Sequence, residues 1–171
     1  MDANLGSGNA GITGLFEQHK TRCFHFALHM VGNYDDAMDI TQDAFLKLHR
    51  DWRRRDPARS PLAWLYAVVR NLAIDHLRRR ARHGECAIEE APGISPEPGP
   101  EASASGGELA ARVWEAVNSL PPEQREILLL RDWHELNYAE ISQALGISMG
   151  TVSSRLHHAR ERLRPRLRRY L

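Results

Sequence analysis

The chain has 171 residues, 42% of them apolar, with 23 Lys and Arg set against 22 Asp and Glu. That length suits one ordinary domain or two small ones. No stretch approaches the ~20 apolar residues needed to span a bilayer, so a soluble protein is expected.

Residues Met1 to Gly14 are small and polar, with neither a basic start nor an apolar run, so they do not resemble a secretory signal. They read as a loose tail, whose boundary is set at residues 1–11. A first helix is predicted from Gly14 to Met30, closed by Gly32-Asn33. His19, Cys23, His25 and His29 are spaced so that pairs four apart share a helix face, a pattern open to metal binding or oxidant sensing. An ordinary amphipathic helix accounts for them equally, because no second Cys/His cluster completes a site. No metal and no cofactor is therefore expected. Cys23 and Cys86 lie far apart in unlike surroundings, which suits a reducing cytosol better than a disulfide framework.

A second helix is predicted from about Asp35 to Arg50, burying Ala37, Ile40, Ala44, Phe45 and Leu48. Asp35, Asp39 and Asp43 follow at four-residue steps beside Gln42, so like charges face one another at a local cost. A conflict of that kind marks either a functional surface or a solvated acidic face, and the helix N-terminus by itself accounts for Asp35 and Asp36.

A third helix begins at Ser60-Pro61, where Ser caps the free amides and Pro fits the first helical position, and continues to about Arg82. Its apolar side is Leu62, Leu65, Val69 and Leu72, and Trp64 reads as core by its spacing. Residues 50–82 are strongly basic, with Arg53, Arg54, Arg55, Arg59, Arg70, Arg78, Arg79 and Arg80 set against Asp51, Asp56 and Asp75. Opposite the apolar face runs a stripe of Asn71, Asp75, Arg78, Arg79 and Arg82. Arg can bind phosphates there, while Asn and Asp offer hydrogen bonds to base edges.

Residues 84–107 carry Glu85, Glu89, Glu90, Glu97 and Glu101, four prolines and almost no large apolar side chain. Such a segment cannot bury enough surface to fold and reads as an acidic linker between two modules, 12–83 and 108–171. Acidic and basic blocks thus cancel in a net charge of only +1.

The second module opens with a helix carrying Leu109, Val113, Val117 and Leu120, and Pro121-Pro122 starts the next, which is predicted to reach about Asp132. Asn137-Tyr-Ala-Glu140 is a capping-box-like start for a short helix to Leu145. Gly146 closes it, and Ser148 caps a last helix that runs to Arg164 before Pro165. Two helices across so tight a turn, the second basic, make a helix-turn-helix. Ile141, Leu145, Val152, Leu156 and Leu163 belong to its core. The fold class is all-α, two small helical modules on a flexible linker.

Three stretches together resemble the sigma-70 family, in particular its extracytoplasmic-function group. Leu120-Pro-Pro-Glu-Gln-Arg-Glu-Ile-Leu-Leu-Leu130, Tyr138-Ala-Glu-Ile141 and Gly150-Thr-Val-Ser-Ser-Arg-Leu-His-His-Ala-Arg160 look like region 4, the promoter −35 reader. Asp36-Ala-Met-Asp-Ile-Thr-Gln-Asp-Ala-Phe-Leu46 and the run from Trp64 to Arg79 resemble region 2, which grips polymerase and opens the −10 element. Met38 stands where the family usually has an acid, and Ser153 and His158 where it often has bases.

The resemblance implies that Asp35, Asp36, Asp39, Gln42, Asp43 and Leu46 dock on the β′ clamp helices of the bacterial RNA polymerase core, and that region 4 meets the β flap. It implies −10 DNA contacts from Arg53, Arg54, Arg55, Arg59, Ser60, Arg70, Asn71, Asp75, Arg78 and Arg79, with the loop from Trp52 to Ser60 trapping a flipped base. It implies −35 contacts from Ser148, Met149, Gly150, Thr151, Ser153, Ser154, Arg155, His157, His158 and Arg160. The linker would thread the polymerase's basic cleft. The partners are then polymerase core, promoter DNA and an anti-sigma factor in the cytoplasm, with no small-molecule substrate. The rival reading is a helix-turn-helix regulator that binds DNA without polymerase. An enzyme is disfavoured, since the sequence holds no phosphate loop or nucleophile motif.

Overall fold

The computed structural model describes residues 5–82 and 104–168, with side chains over 11–82 and 109–168. Most of the acidic linker read over 84–107, together with Cys86, lies outside the described residues. Among the described residues there are seven α-helices and no strand. None of these helices is long and apolar enough to cross a membrane.

Helix α1 (Leu5–Val31) starts nine residues before the predicted Gly14. Residues 5–11, read as part of a loose tail, are therefore helical. Tertiary packing supplies the reason: Ile12 is buried, and a Cβ added at Gly11 would lie 3.1 Å from the Trp52 ring. Gly32, at φ 78°, ends α1 as expected. Asn33 then caps α2 (Tyr34–Asp51), its side chain accepting from the Asp36 amide at 3.0 Å. The predicted stripe of Ala37, Ile40, Ala44, Phe45 and Leu48 is buried, joined by Thr41, whose hydroxyl donates to the Ala37 carbonyl at 2.7 Å. A 3-10 turn (Trp52–Arg54) leads to α3 (Pro61–Arg82), where the Ala63 amide donates to the Ser60 hydroxyl at 3.4 Å. Of its predicted apolar side, Leu65 and Val69 are buried, while Leu62 and Leu72 are partly so.

Helix α4 (Ala104–Asn118) begins inside the segment read as linker, so residues 104–107 are helical. Helix α5 (Pro122–Leu128) does not run on to Asp132 as α-helix. It loosens into a π-turn (Leu129–Trp133), where the His134 amide donates five residues back to Leu129 at 3.0 Å. Glu135 follows at φ 60°, a left-handed conformation uncommon for a side-chain-bearing residue. The Arg131 guanidinium donates to the Leu136 carbonyl at 2.9 Å and fastens this corner.

Asn137 and Glu140 form a full capping box on α6 (Tyr138–Leu145), with both bonds at 2.9 Å. Gly146 turns left-handed at φ 67°, and Ser148 caps α7 (Met149–Leu167) through the Thr151 amide at 3.1 Å. Helix α7 passes through Pro165 instead of stopping at Arg164. Proline forfeits one intrahelical bond, but the next turn holds, with the Arg168 amide donating to Arg164 at 3.0 Å and Leu167 partly buried. Gly146→Ala has room for its methyl group yet must adopt the left-handed backbone. It is expected to cost ~1 kcal/mol, read as a lower urea midpoint at unchanged slope.

The two modules do not stand apart. Helix α6 lies against α3, and the buried residues of both modules form one continuous cluster.

Candidate polymerase and promoter surfaces

On α2, Asp35, Asp39, Gln42 and Asp43 all face solvent, with Leu46 61% and Met38 49% exposed beside them. Apolar side chains so exposed next to carboxylates are a mixed surface of the kind that docks on another protein. They border a groove of about 650 Å³ between α1 and α2, lined among others by Phe16, Phe24, Met38, Phe45 and Leu46. Sequence reading missed the groove because its far wall belongs to α1.

Asp36 departs from its expected role. Its carboxylate meets His76 at 3.1 Å and Arg80 at 3.5 Å on α3. It ties α2 to α3 inside the module rather than belonging to the outward acidic face.

In the loop after α2, the Arg55 guanidinium stacks over the Trp52 ring at 4.5 Å, and Asp56 accepts from the Ala58 amide at 2.9 Å. The turn so built frames a polar hollow of about 530 Å³, lined by Asp51, Arg54, Arg55, Asp56, Arg59 and Trp64. Trp64, expected in the core, is partly buried against it and also walls this hollow. Arg53, Arg54 and Arg59 are exposed.

Along α3, Asn71, Asp75, Arg78, Arg79 and Arg82 all face solvent as one stripe. Arg79 and Arg82 each reach back to the carbonyl four residues earlier at 3.3 Å, and Arg78 stands 3.8 Å from Asp75. Two other residues assigned to this surface are turned away from it. Arg70 forms an ion pair with Glu126 of α5. Ser60 donates its hydroxyl to Glu140 at 3.2 Å, while its amide donates to Gln143 at 3.1 Å. Burial pushes the Glu126 carboxyl up, and the Arg70 hydrogen bond and charge act against that.

In α7, Val152, Leu156, Ala159 and Leu163 are buried, which leaves Ser148, Met149, Gly150, Ser153, Ser154 and His157 facing outward. Thr151 is partly covered, its hydroxyl 2.9 Å from that of Ser148. Small side chains at the N-terminal end of a recognition helix allow close approach to base edges. Arg155 is already paired with Glu123 of α5 at 2.8 Å and is 30% exposed. Arg160 meets Asp132 at 2.8 Å, and that hydrogen bond raises its pKa. His158 contacts the Ser154 carbonyl at 2.7 Å.

The histidines around Cys23 do not converge on it. Cys23 is fully buried and its thiol is pushed up to about 12, whereas His25 is exposed and His29 stacks on Trp114 at 4.0 Å. Among the described residues, no group of three or more His, Cys, Asp or Glu side chains could hold a metal ion.

The family model for Sigma-70 region 2 matches residues 15–83, and that for Sigma-70, region 4 matches residues 110–163. Similar curated proteins carry the same designation. The ECF RNA polymerase sigma factor SigE of Mycolicibacterium smegmatis is 36% identical over 158 residues, covering 91% of this chain and 61% of that protein. SigW of Bacillus subtilis is 31% identical over 163 residues, covering 88% and 85%. SigM of Mycobacterium tuberculosis H37Rv is 35% identical over 165 residues, covering 95% and 80%. The fold matches that of RpoE in complex with the anti-sigma factor NepR from Bartonella quintana, with a TM-score of 0.73 at 23% identity and coverage of 91% and 96%. It also matches CnrH in complex with the cytosolic domain of CnrY, at 0.67, 23%, 93% and 88%.

Two helical modules in this order, an exposed acidic face on one and a capped recognition helix on the other, define a sigma-70-type transcription factor. Within that class the chain belongs to the extracytoplasmic-function (ECF) RNA polymerase sigma factors. It spans 61% of the length of the SigE relative and 85% of SigW.

Proposed function

We propose that this chain binds the core of a bacterial RNA polymerase through α2, reads a −35 element with the start of α7 and opens a −10 element along α3. The observation that carries this reading is the set of faces left open: Asp39, Asp43 and Leu46 on α2, the Asn71-to-Arg82 stripe on α3, and Met149 to Ser154 on α7. Each face has the chemistry its partner needs. Carboxylates beside apolar side chains suit a protein surface, arginines with amide and carboxylate hydrogen-bonders suit a melted strand, and small residues at a helix start suit the major groove. The hollow framed by Trp52 to Ser60 would receive a base flipped from the −10 strand. Strand exposure in this scheme is driven by binding energy, without nucleotide hydrolysis.

The action is placed in the cytoplasm, on the nucleoid. An anti-sigma protein is a further proposed partner, because the matched RpoE and CnrH structures are complexes with such proteins.

Transcription reconstituted with core polymerase and a promoter library tests the reading, since a regulator acting without polymerase would bind DNA yet yield no transcript. Within that assay, Asn71→Ala and Arg78→Ala are expected to impair opening more than closed-complex formation, measured as thymine reactivity to permanganate near the start site. A pre-melted bubble should restore their transcription because the opening cost has been removed. It should not restore Arg155→Ala, whose contact is to upstream duplex and whose loss is expected at ~1–3 kcal/mol. Equal rescue of both classes, or of neither, would refute this division of labour.

A further inference from the structure

The two modules meet across an interface with a marked division of charge. Region 2 contributes Arg22 and Arg70, and region 4 answers with Glu135, 3.1 Å from Arg22, and with Glu126 against Arg70. Ser60 is held by Glu140 and Gln143. Arg70 and Ser60 are both residues assigned to −10 DNA, and what faces them is a set of carboxylate and amide oxygens. Region 4 thus places anionic oxygen acceptors where phosphate oxygens would otherwise sit.

The apolar seal beside these pairs is aromatic. The π-turn and left-handed Glu135 present His134, 5% exposed, to region 2, where its ring lies 5.4 Å from Phe26 and 5.2 Å from Tyr66. His29 of region 2 stacks on Trp114 of region 4 at 4.0 Å. The seal is not a perfected core. Both ring nitrogens of His134 and the Tyr66 hydroxyl are buried without a hydrogen-bond partner among the described residues. Buried polar atoms left unpaired oppose closure, so the modules are held together yet separable.

We propose that region 4 acts as a reversible, built-in stand-in for promoter DNA on region 2, so that the free chain keeps Arg70 and Ser60 covered until polymerase or another partner parts the modules. This rests on the −10 assignment of α3. Closure lowers apparent DNA affinity by the fraction of chains that are open, ~10- to 100-fold for an open population of ~1–10%.

His134→Asp tests it, because it sets a charge between Phe26 and Tyr66, both of region 2. The probes are small-angle X-ray scattering of the full chain and fluorescence anisotropy with a randomised single-stranded DNA 30-mer, which samples phosphate binding without a known promoter. The wild-type chain should scatter with a radius of gyration near that of one compact body of this length, ~16 Å, and His134→Asp should enlarge it by about a third. The variant should also bind the 30-mer at least tenfold more tightly. Its added negative charge alone would weaken binding, so a gain cannot come from net charge.

If circular dichroism shows His134→Asp unfolded, Glu126→Gln replaces it in the scattering arm, where a larger radius supports the proposal and an unchanged one overturns it. An extended wild-type chain overturns it, as does a compact His134→Asp. Expansion with equal DNA binding by both proteins overturns the masking alone. Expansion with no binding by either overturns it together with the −10 assignment.

Discussion

Asp39→Arg combined with Asp43→Arg is expected to abolish co-elution of the chain with core RNA polymerase. The two carboxylates are one helical turn apart, both face solvent, and the described contacts within the chain do not use them. Reversing both therefore changes the outward face by four charges while leaving the packing of α2 on α1 and α3 in place. Removing one member of a close interfacial charge pair costs ~2–5 kcal/mol, and installing a like charge adds repulsion, so a loss beyond ~100-fold is expected. Size-exclusion chromatography with purified core is the measurement, with circular dichroism to establish that the variant is folded. Asp36→Arg serves as the contrast, since it would confront His76 and Arg80 and should lower the thermal midpoint of region 2. A folded double variant that still co-elutes would remove α2 from the polymerase interface.

That contrast also marks the boundary between what local sequence conveys and what it does not. Asn33, Asn137, Gly146 and Ser148 act within three or four residues of themselves, so the ends of α2 and α6 and the start of α7 were legible. The acidic run of α2 was legible as a cluster, but grouping by residue type merged Asp36 with its neighbours. At 100° per residue, Asp36 shares its face with buried Ile40, whereas Asp35, Asp39 and Asp43 share another. Arg70 repeats the lesson: Tyr66 and Ala73, four before and three after it, are both fully packed, which already set it apart from Asn71. The early start of α1, the π-turn before Glu135 and the closure of region 4 on region 2 depend on contacts between residues far apart in sequence. No periodicity within either module encodes them.

Mild acid is expected to open the closed chain. Burial is the largest cause holding His134 down to about 3 and His29 down to about 4, with Arg22, His25 and His29 acting on the first and His25 and Arg125 on the second. The other ionisable groups near the seal are Cys23 and Tyr66, whose pKa values are raised, and Glu135 paired with Arg22. Once the modules part, both imidazoles meet water and return toward 6.5, so the open form binds more protons. Closure is then complete above 6.5 and weakens as pH falls from 6.5 toward 4, by up to about 2 kcal/mol per histidine at pH 5. Glu126 opposes this, because its raised carboxyl takes up a proton more readily when buried, but it is one group against two and acts only above its ordinary value of 4.5. The radius of gyration should therefore rise between pH 6.5 and 5 while helicity by circular dichroism is retained. His29→Leu with His134→Leu keeps an apolar seal and removes both titrating rings, so its radius should stay flat across the same range. If the wild-type radius is constant to pH 5, or the double variant expands in step with it, the histidines are not what makes the seal sensitive to protons.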